Sequence, residues 1–349
     1  MTPSLAIGVS LTLLAGLMSG NCMLPMKFSR SWKWENIWMV FSVVSLILLP
    51  WALALGLVDH LFETYRNLSL LQLGVPFLFG VGWGIAQVLF GLSVQRLGLG
   101  LAYAIIVGLG ALLGTLVPLF VQHRSQVDAY ALLEILLGVA VMLIGIGLST
   151  WGGQIRERCI GERKVTMQND SAIVQPSPAS GYFVAVLLAV LCGVMAPMLN
   201  FSFAFGQDIA HEAVLLGNST LRAPYAVWPI GLAGGFLPNV GYSLYLLRKN
   251  RSWPLFKIGS LDPFLPIGMG LLWMGAFALY GMSATFLGSL GTSIGWGLFQ
   301  IFMIMTATLS GVLTGEWKNA PRSSILLLLS GFASLTAATV LLAVGNHQR

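Results

Sequence analysis

Long apolar runs separated by short polar clusters make up most of the chain, and each run is long enough to form a helix that crosses a bilayer. A helix needs about 20 apolar residues to span the hydrocarbon core. The longest uncharged run, 263–315, has 53 residues and predicts two helices that separate near Gly288–Ser289. The complete pattern predicts ten helices, near 4–26, 36–58, 73–95, 99–121, 131–151, 181–204, 223–247, 264–285, 289–313 and 323–345.

The composition supports a membrane fold and excludes a water-soluble one. Of the 349 residues, 56% are hydrophobic and only 9% are charged, whereas soluble domains carry about 25% charged residues. In hydrocarbon the backbone must satisfy its own hydrogen bonds, which leaves helices or closed barrels. Barrel strands would show alternating runs of about ten residues, much shorter than the runs here. We therefore predict an all-α, polytopic membrane protein with ten transmembrane helices.

The basic residues indicate how the chain is oriented in the membrane. Fourteen of the 18 Lys and Arg residues follow odd-numbered predicted helices, and the other four are Arg66, Arg124, Arg222 and Arg349. Because basic loops stay in the cytoplasm, we expect the odd loops to be cytoplasmic and both termini to lie outside. This distribution also explains the net charge of +6 as a topology signal, so we expect no nucleic-acid partner.

The longest polar segment, 152–180, predicts a flexible cytoplasmic linker between two five-helix halves, 1–151 and 181–349. An odd number of helices in each half has a geometric consequence. If the halves are related in sequence, they must cross the membrane in opposite orientations, as the repeats of many secondary transporters do.

Spaced matches between the halves favour such a repeat. An offset of 190 aligns predicted helices 3 and 8, and an offset of 188 aligns Leu49-Pro50 with Leu237-Pro238. The matches at offset 190 are Gly80 with Gly270, Trp83 with Trp273, Ala86 with Ala276, Phe90-Gly91 with Tyr280-Gly281, Ser93 with Ser283, and Leu97-Gly98 with Leu287-Gly288. We therefore predict two inverted five-helix repeats.

Several kinds of chemistry have no signature in this chain. The sequence contains no P-loop and no His-Glu-x-x-His, and its four His fall in loops, at helix ends or at the terminus. The pattern disfavours ATP-driven transport by this chain and intramembrane hydrolysis. We expect no enzyme activity, no cofactor, no metal and no obligate protein partner.

Neutral polar and aromatic residues at membrane depth are the candidate binding groups. An amide in hydrocarbon is costly unless it is paired, so these groups should face the bundle interior. Amides can hydrogen-bond sugar hydroxyls, and aromatic rings can stack on a sugar's apolar face. The candidates are Trp83, Gln87, Trp273, Gln300, Asn21, Asn200, Asn239, Tyr242 and Tyr280. The alternative is that the amides only join helices and that aromatic residues near helix ends form interfacial belts.

Proton coupling requires a titratable group, and Glu134, about one turn into predicted helix 5, is the candidate. Asp208 and Glu212 beside His211 lie on the outer side. Glu35 and Glu316 flank helices on the cytoplasmic side, where capping or contact with lipid headgroups would also account for them.

Five segments resemble the L-rhamnose–proton symporter family of the drug/metabolite transporter superfamily. They are Trp32-Lys33-Trp34-Glu35 through Leu49-Pro50-Trp51, Phe79-Gly80 through Trp83-Gly84, Gly114-Thr115-Leu116, Gln154 through Arg158, and Glu316-Trp317-Lys318-Asn319-Ala320. The resemblance implies an inner-membrane permease of ten helices in inverted halves that imports a deoxyhexose with protons.

Three functions remain open from the sequence. The first is a proton-coupled importer of L-rhamnose or a similar monosaccharide by alternating access, with sugar, protons and membrane lipid as its partners. The second is a facilitator or exporter of another small metabolite. The third is a membrane sensor or assembly protein without transport, which the deep polar residues and the repeat argue against.

Overall fold

The computed structural model describes residues 3–122, 127–167, 179–258 and 261–346. Within these ranges the chain is helical with no strand, and nine stretches are long and apolar enough to cross a membrane. One of the nine, Phe264–Leu313, is 50 residues long and contains two helices. The prediction of an all-helical, multi-pass membrane protein is confirmed.

The α-helices, numbered in chain order, account for most of the fold. They are α1 (Pro3–Asn21), α2 (Trp34–Val43), α3 (Leu49–Leu57), α4 (Leu61–Asn67), α5 (Leu70–Leu97), α6 (Leu99–Gln122), α7 (Ala129–Met167), α8 (Ala179–Met195), α9 (Met198–Ala204), α10 (Gln207–Leu215), α11 (Val227–Lys249), α12 (Phe264–Phe286), α13 (Gly291–Leu313) and α14 (Arg322–Gly345). Short 3₁₀ turns lie at 24–28, 223–226, 253–257 and 288–290.

Local sequence signals set the two ends of α5. Ser69 caps the helix, since its side chain accepts the backbone N–H of Gln72 while the Gln72 side chain accepts the N–H of Ser69. The helix ends at Gly98, whose φ of +79° is a conformation that L side chains rarely adopt. Gly288 follows α12 with the same φ of +79°. These two glycines occupy matched positions in the predicted repeat.

Proline shapes the second and sixth membrane-crossing stretches. Pro50 has no N–H to donate into the preceding turn, and the chain between α2 and α3 widens into a π-helical turn at 44–48. The stretch Tyr182–Leu215 bends at Pro197 and again at Gly206, which divide it into α8, α9 and α10.

Helix α7 extends past its predicted end near 151, and residues 152–167 are helical where the sequence suggested a flexible linker. The reason is the composition of this part, which has Arg, Glu, Gln and Lys but no proline before Pro176. These charged and polar residues are good helix formers. The rest of the predicted linker, at 168–178, lies outside the described residues.

Glycines allow α5 and α11 to cross almost backbone to backbone. A Cβ added at Gly80 would lie 1.8 Å from the carbonyl oxygen of Gly231, and one at Gly234 would lie 2.0 Å from that of Phe77. Such close approaches are typical of small-residue contacts between membrane helices. They bring one face of α5 against the second half of the chain.

The loops that follow α1, α11 and α13 meet at one end of the bundle, which we call the basic end. There Lys27 forms an ion pair with Glu316, and Arg156 Nη1 lies 3.5 Å from Glu316 Oε2. The Asp262 carboxylate accepts the backbone N–H groups of Arg30, Ser31 and Trp32 at 2.8–3.1 Å.

At the opposite end neutral and acidic groups join the elements. Asn67 donates to Glu212 at 2.8 Å, and the Asn218 side chain bonds the backbone of Asp59 on both its oxygen and its nitrogen. The two ends of the bundle therefore differ in chemistry as well as in position.

Candidate functional site

A cavity of about 210 Å³ lies inside the bundle between the two halves of the chain, and we call it the central cavity. Its walls come from α1, α5 and α6 of the first half and from α8, α9, α12 and α13 of the second. It is lined by Ser19, Trp83, Ala86, Gln87, Phe90, Ile106, Val107, Gly110, Cys192, Ala196, Leu199, Trp273, Phe277, Trp296, Phe299, Gln300 and Met303. The volume is below the roughly 300–1,000 Å³ of clefts for drug-sized ligands and suits a smaller solute.

Four predicted site residues, Trp83, Gln87, Trp273 and Gln300, line this cavity together. The indoles of Trp83 and Trp273 stack with a centroid distance of 5.5 Å and an interplanar angle of 26°. Each is only 7% exposed. Gly235 makes room for this pair, since a Cβ there would lie 2.7 Å from the Trp83 ring.

The two glutamine amides are the groups best placed to bind a polar solute. In the part of the chain that the structure describes, neither Gln87 nor Gln300 has a hydrogen-bond partner within the protein. Leaving a buried polar group unpaired costs about 1–3 kcal/mol. These amides are therefore available for a ligand, beside the aromatic wall that Phe277 and Phe299 extend.

Asn200 and Tyr280, which were also predicted, do not line the central cavity but are neighbours of Leu199 and Phe299, which do. The Tyr280 hydroxyl donates to Asn200 Oδ1 at 2.5 Å, and Asn200 Nδ2 donates to the carbonyls of Gly114 at 2.9 Å and Thr292 at 2.8 Å. Because these bonds use the polar atoms of Asn200, the pair holds α6, α9, α12 and α13 together.

The other three predicted binding residues are not among those that line the central cavity. Asn239 accepts from Trp38 Nε1 at 2.8 Å and donates to the Gly235 carbonyl, next to the Trp83 contact. Asn21 bonds Leu17 and Ser310 near the basic end. Tyr242 packs edge-on against Trp34 at 6.2 Å.

Glu134, the predicted proton-coupling residue, is half-buried on α7 against the last turn of α14, where a Cβ on Gly345 would lie 3.4 Å from Glu134 Cβ. It is not among the residues that line the central cavity. No Asp, Glu, His, Lys or Arg of the described residues lines that cavity. Among the same residues, no group of His, Cys, Asp or Glu could hold a metal ion.

Two further cavities lie on the same side of α13 as the central one. The opposite-end cavity, of about 620 Å³, is lined by Gln122, Phe203, Ala204, Gln207, Ala210, His211, Val214, Thr220, Ala223, Pro224, Ala284, Thr285, Gly288, Ser289 and Thr292. The basic-end cavity, of about 250 Å³, is lined by Gly100, Tyr103, Ser149, Thr150, Gly153, Gln154, Arg156, Glu157, Ile304, Ala307, Thr308, Gly311, Glu316 and Trp317.

Positions along α13 place the three cavities in a row. Thr292 lines the opposite-end cavity, Gln300 the central cavity and Thr308 the basic-end cavity. Eight helical residues rise about 12 Å, so the row extends about 24 Å along the helix. The arrangement gives a small solute three chambers between the two ends of the bundle.

Several cavity residues were missed from the sequence although their spacing could have revealed them. Trp83, Gln87 and Phe90 follow one another by four and three residues, which places them on one face of α5. Trp296, Gln300 and Met303 have the same spacing on α13. Extending each face from its glutamine would have found the aromatic neighbours. Cys192 and Ile106 carry no such signal.

Comparison with known proteins was made against a family model and curated sequences. The model described as L-rhamnose-proton symport protein (RhaT) matches residues 1–347. L-rhamnose-proton symporters of Escherichia coli O1:K1 / APEC and of Shigella dysenteriae serotype 1 (strain Sd197) are each 27% identical to this chain over 354 residues. These matches cover 99% of the chain and 99% of each relative.

Proposed function

The chain belongs to the L-rhamnose-proton symport protein family, and we propose that it imports L-rhamnose or a similar deoxyhexose together with protons by alternating access. The family is one of transporters, so the chain is not an enzyme. The observation that carries the proposal is the central cavity, where two partnerless amides face a stacked pair of indoles. That chemistry fits an uncharged solute with hydroxyl groups and an apolar face.

The first part of the proposal is that ten helices cross the membrane as two inverted five-helix repeats. The stretch Phe264–Leu313 contains both α12 and α13, which raises nine spans to ten. The packing of the halves supports the repeat. Gly80 of α5 lies against Gly231 of α11, and its matched residue Gly270 of α12 lies against Val44 of the second span.

Other helix contacts between the two halves also occur in matched pairs. Helix α1 packs on α12 and α13, and its counterparts α8 and α9 pack on α5 and α6. Helix α7 packs on α14, and α6 packs on α13, as expected for elements beside a pseudo-two-fold axis. Trp83 and Trp273 occupy matched positions, and their contact with each other is what an axis through the central cavity would produce.

The orientation is proposed from the basic residues. Lys27 and Lys257 lie in loops at the basic end, and Arg156 lies on the extended part of α7 at the same end. Basic segments beside membrane helices remain in the cytoplasm. We place the basic end in the cytoplasm of the inner membrane and both termini outside. In this orientation the opposite-end cavity faces the outside and receives the sugar.

Binding roles follow from the contacts of each predicted residue. Gln87 and Gln300 hydrogen-bond the sugar hydroxyls, and Trp83 and Trp273 provide the stacking surface. Asn200 and Tyr280 act indirectly by holding the helices around the cavity, and Asn239 supports the α11 turn that carries Gly235. For Asn21 and Tyr242 a role in substrate binding requires another arrangement of the halves, because in the present one they contact Ser310 and Trp34.

Alternating access needs a barrier on each side of the sugar. On the outer side Tyr280, which is fully buried, contacts Trp296 and Phe299 at 5.9 and 5.4 Å between the opposite-end and central cavities. On the inner side the ion pairs of Glu316 with Lys27 and Arg156 join the loops. Release of one barrier at a time would carry the sugar across without opening a continuous pore.

For the proton we propose Glu134. Its side chain is half-buried where α7 packs on α14, so a change in its charge would alter the contact between the two halves. Glu134→Gln would then allow sugar counterflow but would abolish uptake driven by a pH gradient. Loss of both activities, or of neither, would remove this assignment.

Reconstituted protein tests the whole proposal. Proteoliposomes should take up labelled L-rhamnose saturably, an inward proton gradient should raise the uptake, and a protonophore should collapse it. Uptake that ignores the gradient would indicate a facilitator, and no uptake of any sugar would contradict sugar transport.

A further inference from the structure

The basic-end cavity repeats the chemistry of the central cavity. Gln154 lines it, and in the described part of the chain this amide also has no hydrogen-bond partner within the protein. Trp317 and Tyr103 supply aromatic surface, and Thr150 and Thr308 supply hydroxyls. An unpaired amide beside an indole is the same combination that we propose binds the sugar in the central cavity.

The basic-end cavity also has charged groups that the central one does not have. The Glu316 carboxylate and the Arg156 guanidinium both line it, 3.5 Å apart, and the guanidinium lies 4.8 Å over the Trp317 ring. A carboxylate can accept from two neighbouring sugar hydroxyls, and a guanidinium can donate to two. Hydroxyl groups could therefore replace part of the ion pairing of Glu316.

The basic-end cavity is similar in size to the central cavity and lies next to it, so the same solute could occupy either. Its volume of about 250 Å³ is close to the 210 Å³ of the central cavity. Met303 and Ile304 are adjacent on α13, and they line the central and the basic-end cavity respectively. Helix α6 links the cavities in the same way through Ile106 and Tyr103.

We infer that the basic-end cavity is a second binding site for the transported sugar. Its binding residues are Gln154, Glu316, Arg156 and Trp317. The inference rests on the proposed function, since it takes the same hydroxyl-rich solute. Sugar that arrives there competes with the contacts of Lys27 and Arg156 for the Glu316 carboxylate. Occupancy of the second site thereby loosens the inner barrier and favours release.

Fluorine NMR of protein labelled with 5-fluorotryptophan separates the two sites. Trp317→Phe identifies the Trp317 resonance, and Trp83→Phe identifies one from the central cavity. Titration with L-rhamnose should shift both resonances. In Gln154→Ala the apparent Kd at Trp317 should rise about fivefold, as expected for one lost hydrogen bond, and Gln95→Ala on the exposed face of α5 should leave it unchanged.

A central-site variant shows whether Trp317 reports a local event. In Gln87→Ala the response of Trp317 should persist while that of Trp83 weakens. If the Trp317 response disappears with the central one, it is transmitted and the second site is contradicted. If Trp83 responds and Trp317 does not, the second site is also contradicted although sugar transport stands. If neither resonance moves and proteoliposomes take up no sugar, the proposed function itself fails.

Discussion

Two glutamine side chains are the residues on which the proposed substrate site depends. Gln87 and Gln300 come from different halves and meet at one cavity without partners in the described part of the chain. Amides that only join helices form hydrogen bonds within the protein, as those of Asn200 and Asn239 do. Under the proposed function, the sugar supplies hydrogen-bond partners to these two amides.

Truncating one of these amides should weaken transport without harming the fold. Gln87→Ala removes up to two hydrogen bonds to the sugar at about 1 kcal/mol each, so the KM for L-rhamnose uptake should rise roughly five- to thirtyfold. Membrane abundance should stay normal because no bond within the protein is lost. Gln72→Ala in the α5 cap is the matched control, and an unchanged KM in Gln87→Ala would remove the site.

Asn200 should behave in the opposite way, as a residue that joins α6, α12 and α13 and acts on stability. Asn200→Ala removes the amide that donates to the carbonyls of Gly114 and Thr292 and accepts from the Tyr280 hydroxyl, which should cost about 1–3 kcal/mol. The melting temperature in detergent should fall clearly. Tyr280→Phe breaks fewer bonds and should lower it less, and equal melting temperatures for all three proteins would contradict the network.

The carboxylates at the basic end predict a loss of stability in acid. The hydrogen bond and charge of Lys27, with the charge of Arg156, lower the pKa of Glu316. For Asp262 burial opposes the shift, but the N–H groups of Arg30, Ser31 and Trp32 outweigh it and lower the pKa. A carboxyl group whose pKa is lower in the folded protein stabilises the fold fully when the pH is above its pKa in the unfolded chain, which is about 4.5 for Glu. This stabilisation disappears as the pH falls through the pKa of the folded protein.

Thermal unfolding followed from pH 7 to pH 3 checks this expectation. The melting temperature should be flat above pH about 5 and should fall below it. In Asp262→Asn the acid-dependent part of the fall should shrink, because one of the two groups no longer titrates. A melting temperature that rises as the pH falls would contradict the assignment.

At the scale of the elements, the sequence predicted the helices well wherever an uncharged run had clear ends. The boundary at Gly288 separated α12 and α13 as expected. The sequence pattern did not predict the π-helical turn at 44–48 or the bends at Pro197 and Gly206. These features depend on how neighbouring helices satisfy the backbone around a proline, and a hydropathy pattern has no information about such contacts.

The same distinction holds for the candidate site. Sequence predicted that Trp83, Gln87, Trp273 and Gln300 face the bundle interior, and the four line one cavity there, because their position within long apolar runs could be read directly. It could not tell that the Asn200 and Asn239 amides would be paired, or that Asn21 would bond Ser310 near the basic end. Pairing depends on which helices are neighbours, which is a tertiary property.

The two glycines that end α5 and α12 provide a test at this scale. Alanine at Gly98 or Gly288 must adopt a φ of +79°, and we expect each substitution to destabilise the protein by about 1–2 kcal/mol. Gly91→Ala is the matched control, since Gly91 lies within α5 with open space around its Cβ position. Its melting temperature should stay level or rise, and a fall as large as that of Gly98→Ala would contradict the role of backbone conformation.

At the scale of the whole molecule, the proposed pair of halves in opposite orientation would explain how one binding site opens to both faces. If the halves exchange conformations, the outward-facing and inward-facing states are approximate mirror images. Trp83 and Trp273 lie where the halves meet, and both contact the central cavity. The chemistry at the two ends is not symmetrical, because ion pairs of Glu316 occur at the basic end.

Accessibility of Ser19, a small residue that lines the central cavity, tests this account most directly. Ser19→Cys is placed in a chain whose Cys22, Cys159 and Cys192 are replaced by Ser, and Ser323→Cys at the exposed start of α14 is the control. A membrane-impermeant thiol reagent should label Ser19→Cys in both right-side-out and inside-out vesicles, and L-rhamnose should slow the labelling from each side. Ser323→Cys should be labelled from the basic end only, at a rate that the sugar does not change. Labelling of Ser19→Cys from one side only, or at a rate that L-rhamnose does not change, would contradict a shared sugar site that opens alternately.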